Sequence, residues 1–230
     1  MSDKIVLFGD SVAKGIVYDR ESRRYVWGEC SFIRSFCREH GYTLSDHSQF
    51  GCHLEKAFRL LKRHSADLAD SRAVLVMLGG NDCNFDWPRV AENPDGQHEC
   101  TTPPEQFHRE YIRFLEEIRR LGGKPVMLDM APVLGRRYYR WITRECDPDG
   151  IMQFLGCPER IEHWNEMYNL ILQKIAMETG TPLVDVRGAL LASRELENYY
   201  CPDGIHPDAE GHQAIFSRRD SDLYEAVAGA

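Results

Sequence analysis

The sequence predicts an α/β protein whose parallel sheet is covered by helices on both faces. Short apolar segments alternate with amphipathic ones along the 230 residues, and this alternation is typical of strand–helix–strand units. The apolar segments are continuous runs rather than every-second-residue patterns, which indicates strands that are buried on both faces. A chain of this length commonly forms one α/β domain, so we expect a single domain over residues 1–230.

Five apolar segments are predicted to be strands. The clearest is the run Ala-Val-Leu-Val-Met-Leu at 73–78, which Gly79 and Gly80 close. The five segments cover residues 4–8, 42–46, 73–78, 124–130 and 182–186. Ligand sites in parallel sheets lie beyond the carboxyl ends of the strands, so we expect a site in the segments that follow these runs.

Five other segments have the apolar spacing of amphipathic helices. They cover residues 27–39, 54–68, 104–121, 161–179 and 207–223. Gly41, Gly122 and Gly180 follow three of these segments as stop signals, and Pro207 suits the first turn of the last one. Two long segments, 83–103 and 131–160, have no clear pattern. Loops of that length are usually functional or carry structure of their own.

The charge and the hydropathy pattern exclude several classes of protein. The 28 Lys and Arg residues against 36 Asp and Glu residues give a net charge of −8, which is not the basic surface of a nucleic-acid binder. No window holds the roughly 18 apolar residues of a membrane span. The first residues lack the basic start and apolar stretch of a signal peptide. We therefore expect a cytoplasmic protein without a nucleic-acid partner or a membrane span.

The cysteines and histidines show no metal-binding spacing. The eight cysteines include no Cys-x-x-Cys pair, so they do not predict a zinc site. In a reducing cytosol we expect free thiols that pack like small hydrophobic side chains. Six histidines also lack ligand spacing with one another: His53, His64, His98, His108, His163 and His212. The sequence predicts neither a metal nor a cofactor.

Three polar segments lie where a site is expected. Gly9-Asp10-Ser11 follows the first predicted strand, Gly79-Gly80-Asn81-Asp82 follows the third, and Asp203-Gly204-Ile205-His206-Pro207 precedes the last helix. Each segment alone has the composition of an ordinary turn. Together they supply complementary chemical groups at one edge of the sheet.

These groups match the needs of acyl transfer, which requires a nucleophile, a base, a residue that orients the base, and donors for the oxyanion. Ser11 can be the nucleophile and His206 the base. Asp203, three residues before His206, can reach the other imidazole nitrogen, and Asn81 offers an amide donor. The order Ser…Asp…His is that of α/β-hydrolases, but the Gly-x-Ser-x-Gly motif is absent. A different fold with the same chemistry is therefore indicated.

The motifs resemble those of the SGNH hydrolase family, also called GDSL esterases/lipases. The first block is an apolar strand followed by Gly-Asp-Ser, here with Val12 in place of Leu. The third block, Gly-x-Asn-Asp, and the fifth, Asp-x-x-His-Pro, occur at 79–82 and 203–207. Gly51 fits the second block by position, although His53 stands where the family often has Thr. The blocks span residues 5–211, nearly the whole chain.

The resemblance implies a three-layer α/β/α sandwich with a five-stranded, flavodoxin-like parallel sheet. It implies that Ser11 is the nucleophile and that His206, oriented by Asp203, is the base. It also implies an oxyanion hole formed by the backbone N–H groups of Ser11 and Gly51 and by the Asn81 side chain. We expect the neighbouring carboxylates Asp10 and Asp82 to hold turns together.

Aromatic residues in the two long segments are candidate substrate contacts. Phe85 and Trp87 follow the Asn81 strand directly, and Tyr138 and Trp141 lie in a basic, aromatic stretch at 136–141. Aromatic walls suit a sugar or a short acyl group. The alternative is that these rings pack the two segments onto the body of the protein.

We expect a serine esterase that hydrolyses carboxylic esters through an acyl-enzyme, with short acyl groups on a carbohydrate or another polar alcohol as the leading substrate class. Two alternatives stay open. One is a lysophospholipase or thioesterase for longer acyl chains, and the other is a catalytically silent protein that binds an acylated ligand. In each case the partner is a small-molecule acyl compound, and the sequence leaves the oligomeric state open.

Overall fold

The computed structural model describes residues 2–230. Its strands are β1 (Lys4–Gly9), β2 (Ile16–Asp19), β3 (Arg24–Trp27), β4 (Thr43–Asp46), β5 (Ala73–Met77), β6 (Pro125–Leu128) and β7 (Leu183–Val184). Five of them form a parallel sheet in the order β4-β1-β5-β6-β7. Strands β2 and β3 form a separate antiparallel hairpin. The five predicted strands are therefore confirmed as one parallel sheet.

Ten α-helices connect and cover the strands within residues 2–230. They are α1 (Ser11–Lys14), α2 (Phe32–Glu39), α3 (Leu54–Arg63), α4 (Trp87–Glu92), α5 (Pro104–Arg120), α6 (Gly135–Ile142), α7 (Pro148–Leu155), α8 (Arg160–Thr179), α9 (Val186–Leu191) and α10 (Ala209–Gly229). None of the helices in this part of the chain is both long enough and apolar enough to cross a membrane.

Successive side chains of β1 enter two different cores. Val6 and Phe8 of β1 pack in the core that contains the apolar faces of α3, α5 and α8. Ile5 and Leu7, which alternate with them, pack in the core formed with α2, α9 and α10. All four side chains are almost fully buried, which explains why the strand reads as a continuous apolar run. The molecule is a three-layer α/β/α sandwich, as the family resemblance implies.

The structure differs from the sequence-based elements mainly between residues 16 and 31. The predicted helix at 27–39 begins only at Phe32, because Trp27 belongs to β3. Residues 16–18 and 25–27 are β-branched or aromatic and flank a polar turn, which is the composition of a hairpin. The helix predicted over 54–68 ends at Arg63, and the last helix continues to Gly229.

The two segments without a clear pattern carry short helices. Segment 83–103 contains α4, and segment 131–160 contains α6 and α7. These helices have six to eight residues, which is too short for an apolar period to stand out. They lie beyond the carboxyl ends of β5 and β6, where they can wall a site.

Candidate active site

Ser11 is held at a sharp turn between β1 and α1. A Cβ atom on Gly9 would lie 2.4 Å from the Cβ of Ala13, so the turn has no room for a larger residue. Asp10 caps the helix, because its Oδ1 accepts from the N–H groups of Val12 at 2.9 Å and Ala13 at 3.4 Å. Ser11 is the first residue of α1, a position where a backbone N–H has no acceptor within the helix.

The pKa of the Asp10 carboxyl lies above its ordinary value. Burial raises its pKa to about 6, although the hydrogen bonds from Val12 and Ala13 act in the opposite direction. Its partners are backbone amides, so Asp10 shapes the turn that presents Ser11. The expectation that this carboxylate holds a turn together is confirmed.

Ser11, His206 and Asp203 form a continuous hydrogen-bonded chain. The Ser11 Oγ lies 2.8 Å from His206 Nε2, and His206 Nδ1 lies 2.6 Å from Asp203 Oδ2. All three are buried, with Asp203 fully enclosed and the other two at most 6% exposed. This is the geometry in which a histidine can accept the hydroxyl proton while a carboxylate orients the ring.

Asp203 accepts four hydrogen bonds. Its Oδ1 accepts from the N–H groups of Ile205 at 3.0 Å and His206 at 3.1 Å. Its Oδ2 accepts from the imidazole and from the Tyr25 hydroxyl at 2.7 Å. Burial acts to raise the pKa of this carboxyl, but the interaction with His206 and the other hydrogen bonds hold the pKa below its ordinary value. The Asp203 side chain therefore remains ionised near neutral pH.

Asn81 follows β5 and belongs to a network with the loop at 50–54. Its Nδ2 donates to the carbonyl oxygen of Cys52 at 3.1 Å. The next residue, Asp82, accepts at Oδ1 from the Leu54 N–H at 3.0 Å and the Thr102 hydroxyl at 2.6 Å. Burial raises the pKa of Asp82, and these hydrogen bonds oppose it. Asp82 thus also holds turns together, as expected.

Gly51 lies next to this network in a left-handed conformation with φ of +64°. Crowding does not require a glycine here, because an added Cβ would meet nothing within 4 Å. The left-handed backbone conformation is what favours glycine. Asn81 lines the cavity beside Ser11, whereas Gly51 does not. The contribution of the Gly51 N–H to an oxyanion hole stays a prediction.

A cavity of about 90 Å³ opens beside Ser11 and His206. Most of its wall is apolar, and Asn84 and Asn165 add polar groups. The apolar part includes Met77, Leu78, Phe85, Trp87, Met130, Val133, Tyr138, Leu155, Ile161 and Trp164. An enclosed apolar space beside a hydroxyl suits the acyl part of an ester.

Three of the four predicted substrate contacts line this cavity: Phe85, Trp87 and Tyr138. The Trp87 Nε1 donates to Asn84 Oδ1 at 2.9 Å, and the Tyr138 hydroxyl donates to the same oxygen at 3.2 Å. These polar atoms satisfy one another within the wall, which leaves the ring faces for an apolar group.

Trp141 lies elsewhere. Its ring meets the ring of Tyr18 with centroids 4.9 Å apart, and the Arg144 guanidinium lies 4.3 Å from its centroid. It lines an open polar groove that contains five arginines, at positions 20, 23, 137, 140 and 144. One helical turn thus separates a ring in the cavity wall, Tyr138, from a ring outside it.

Sequence reasoning missed Tyr25 and Phe50, whose rings cover His206. The Tyr25 ring centroid lies 5.1 Å from that of His206, and Phe50 stacks on the imidazole at 5.9 Å. The hairpin composition at 16–27 was a usable signal for the strand that carries Tyr25. Nothing in the local sequence places it against Asp203, which is 178 residues away.

Arg137 holds the segment that precedes Asp203. Its Nη1 donates to the carbonyl oxygens of Glu197 at 3.0 Å, Tyr200 at 3.1 Å and Cys201 at 3.4 Å. Nearby, the Leu134 N–H donates to the Gly204 carbonyl oxygen at 2.8 Å. The start of α6 therefore fixes the loop that presents the Asp–His pair.

One group of possible metal ligands occurs within residues 2–230, formed by His47, His64 and Asp67. The two imidazole rings are stacked, with centroids 3.9 Å apart and planes 19° apart. Imidazole lone pairs lie in the ring plane, so two nearly parallel rings do not direct them to a common point. The His47 Nε2 also lies 2.9 Å from Asp67 Oδ2. The group is arranged for stacking and hydrogen bonding.

Comparisons with known proteins agree with this fold. The sequence matches the GDSL-like lipase/acylhydrolase family over residues 7–214. Among solved structures, the lipase/acylhydrolase from Enterococcus faecalis has a TM-score of 0.66 at 15% identity, covering 96% of this chain and 97% of that one. A carbohydrate acetylesterase family member from Sinorhizobium meliloti has a TM-score of 0.68 at 15% identity and covers 100% of both chains.

A third structure, the psychrotrophic esterase EstA from Pseudoalteromonas sp., has a TM-score of 0.63 at 12% identity, covering 97% of this chain and 98% of that one. No curated protein matches the sequence. The fold and the matched span define the class, an ester hydrolase that acts on small-molecule esters. The chain belongs to the GDSL-like lipase/acylhydrolase family.

Proposed function

We propose that this protein is a serine esterase that removes short acyl groups from a carbohydrate or another polar alcohol. The observation that carries the proposal is the apolar cavity of about 90 Å³ beside Ser11. A cavity of about 150 Å³ accommodates a benzene molecule. The smaller space beside Ser11 therefore suits an acyl group of about two to four carbons and is too small for a long chain.

In the proposed reaction, the Ser11 Oγ attacks the ester carbonyl carbon as its proton moves to His206 Nε2, 2.8 Å away. Asp203 holds the other imidazole nitrogen and stabilises the imidazolium that forms. The developing oxyanion accepts hydrogen bonds from the Asn81 amide and from the N–H groups of Ser11 and Gly51.

The second half of the reaction uses the same groups. His206 returns its proton to the departing alcohol oxygen, which leaves the acyl group bonded to Ser11. A water molecule then attacks the acyl-enzyme while His206 accepts one of its protons. Ser11 regains its proton from His206 when the carboxylic acid leaves.

The surface near the triad supports a polar alcohol. Trp141 lines the arginine-lined groove, and its ring contacts that of Tyr25, which covers His206. Aromatic rings beside hydrogen-bond donors suit hydroxyl-rich compounds such as sugars. The S. meliloti structure with this fold is that of a carbohydrate acetylesterase family member, which agrees with this substrate class.

The test is a hydrolysis series of p-nitrophenyl esters from C2 to C12, run beside acetylated sugars and acyl-CoA thioesters. We expect kcat/KM for C2–C4 esters to exceed that for C10–C12 esters at least about tenfold, equivalent to about 1.4 kcal/mol in the transition state. Ser11→Ala should lower kcat by about 10³–10⁶ without unfolding the protein.

Two outcomes would contradict the proposal in different ways. A preference for dodecanoyl over acetyl esters would favour the lysophospholipase or thioesterase. Absence of hydrolysis, together with failure of a fluorophosphonate probe to label Ser11, would favour a silent binder of acylated ligands.

A further inference from the structure

The hairpin of β2 and β3 attaches to the loop that carries the Asp–His pair. Tyr18 and Tyr25 are cross-strand partners in this hairpin, and their rings meet at a centroid distance of 5.4 Å. The Tyr18 backbone N–H donates to Cys201 Sγ at 3.3 Å, two residues before Asp203. The hairpin therefore presents one of its tyrosines to the buried carboxylate.

Tyr25 meets the triad in two ways. Its hydroxyl donates to Asp203 Oδ2 at 2.7 Å, the same oxygen that lies 2.6 Å from His206 Nδ1. Its ring covers the imidazole, with centroids 5.1 Å apart. Burial and the negative charge of Asp203 raise the pKa of Tyr25 above its ordinary value, so the hydroxyl remains a neutral donor.

The hydrogen bonds to Asp203 fix the plane of its carboxylate. Two backbone N–H groups hold Oδ1, and Tyr25 is the side chain other than His206 that holds Oδ2 within residues 2–230. Without Tyr25, Oδ2 would keep only its hydrogen bond with His206, so the carboxylate could rotate more freely about its Cβ–Cγ bond and turn its lone pair away from the imidazole. Hydrogen bonds to a charged acceptor are among the stronger ones in proteins.

We propose that Tyr25 is a positioning residue of the proposed Ser11–His206–Asp203 triad, whose hydroxyl holds Asp203 Oδ2 toward His206 and whose ring excludes water from the Asp–His pair. This inference rests on the proposed ester hydrolysis. Tyr25 acts through Asp203 and His206 in the chemical steps and does not contribute to acyl binding, since it does not line the cavity beside Ser11.

The test compares Tyr25→Phe with Tyr18→Phe on a short-chain p-nitrophenyl ester. Both changes remove one hydroxyl from the same hairpin, but the Tyr18 hydroxyl has no hydrogen-bond partner within residues 2–230. We expect Tyr25→Phe to lower kcat about tenfold with KM within about twofold. We expect Tyr18→Phe to leave both constants within about twofold. Equal kcat in the two variants, or a change confined to KM, would overturn the proposal.

A second measurement separates positioning from a general loss of structure. In an Asp203→Ala background the Tyr25 hydroxyl has no carboxylate to hold, so Tyr25→Phe should then lower the residual kcat by less than about twofold. A tenfold loss in both backgrounds would show that Tyr25 does not act through Asp203. The native enzyme, assayed for ester hydrolysis and for fluorophosphonate labelling of Ser11, tests the proposed function separately from the role of Tyr25.

Discussion

The Asn81 side-chain amide donates to the Cys52 carbonyl oxygen at 3.1 Å, which joins the loop after β5 to the loop before α3. An amide nitrogen carries two hydrogens, so one fixes the orientation of the side chain and the second can point into the cavity beside Ser11. Gly51, whose N–H the resemblance to SGNH hydrolases implies as an oxyanion donor, lies on the second of these loops. A single hydrogen bond thus couples two of the proposed oxyanion donors.

Asn81→Ala should lower kcat by about 10²–10³ with a smaller effect on KM. The physical reason is that a preorganised donor acts on the charge that develops only in the transition state. The measurement is steady-state hydrolysis of a short-chain ester. A change in KM alone would instead make Asn81 a group that binds the ground state of the substrate.

Asn84→Ala is the matched control for that experiment. Asn84 lines the same cavity, but its Oδ1 accepts from Trp87 and Tyr138 in the wall. Its loss should loosen acyl binding and raise KM more than it lowers kcat. If both variants lost kcat equally, general disturbance of the cavity would explain the Asn81 result.

Asp10 should make the native protein less stable as pH rises from about 4 to about 6. Its folded pKa of about 6 lies above the ordinary aspartate value of 3.8. Between those values the folded protein binds a proton at this site that the unfolded chain has released, so the free energy of unfolding falls as pH rises. Above about pH 6 this group has no further effect, and its contribution leaves the free energy of unfolding roughly 2–3 kcal/mol lower than below about pH 4.

Asp10→Asn should remove this pH dependence, since asparagine can still cap α1 and does not titrate. The measurement is the free energy of unfolding of both proteins by denaturant from pH 4 to pH 8. We expect the difference, variant minus native, to grow in favour of the variant as pH rises through the window. Parallel curves would show that Asp10 has an ordinary pKa in the folded protein.

Trp87→Ala should weaken the preference for short acyl chains, whereas Trp141→Ala should leave this preference unchanged. Trp87 lines the cavity beside Ser11, and Trp141 lies in the polar groove against Tyr18. Removing the indole of Trp87 enlarges the acyl space, so the kcat/KM ratio of C4 to C8 esters should fall at least about fivefold, within the 1–3 kcal/mol typical of pocket contacts. The p-nitrophenyl series measures this ratio. A larger change of this ratio in Trp141→Ala than in Trp87→Ala would indicate that the acyl group binds in the groove.

The sequence predicts the sheet and the proposed triad because both depend on local signals. Continuous apolar runs mark strands that are buried on both faces, and the cores on the two sides of β1 show why. Ser11, Asn81 and His206 lie in turn segments at strand ends or before a helix, where parallel topology collects side chains. Residue type and position in the sequence were therefore sufficient to predict the sheet and to propose the triad.

The remainder of the site depends on contacts between distant segments. Tyr25 meets Asp203 across 178 residues, and the cavity wall combines residues from β5, α4, α6, α7 and α8. Short helices such as α6 have no detectable period, so the sequence could not show that Tyr138 faces the cavity while Trp141 does not. Such partners follow from packing rather than from local pattern.

Arg137→Ala should lower kcat about tenfold and reduce thermal stability, whereas Arg136→Ala should change neither by much. The Arg137 guanidinium donates to three carbonyl oxygens before Asp203, and no other side chain within residues 2–230 donates to them. The loop can then shift, and small misplacements of a catalytic group reduce the rate strongly.

Arg136 is the matched control for this change, because it is the adjacent arginine of α6 and pairs with Glu159 at the surface, with its side chain 78% exposed. Exposed pairs of this kind contribute about 0–1 kcal/mol. Arg137→Lys should not restore the rate, since an ammonium lacks the planar fork that reaches several acceptors. The measurements are kcat on a short-chain ester and the Tm of each variant. Equal losses in Arg136→Ala and Arg137→Ala would mean that charge in this part of α6, rather than the anchoring of the loop, sets the rate.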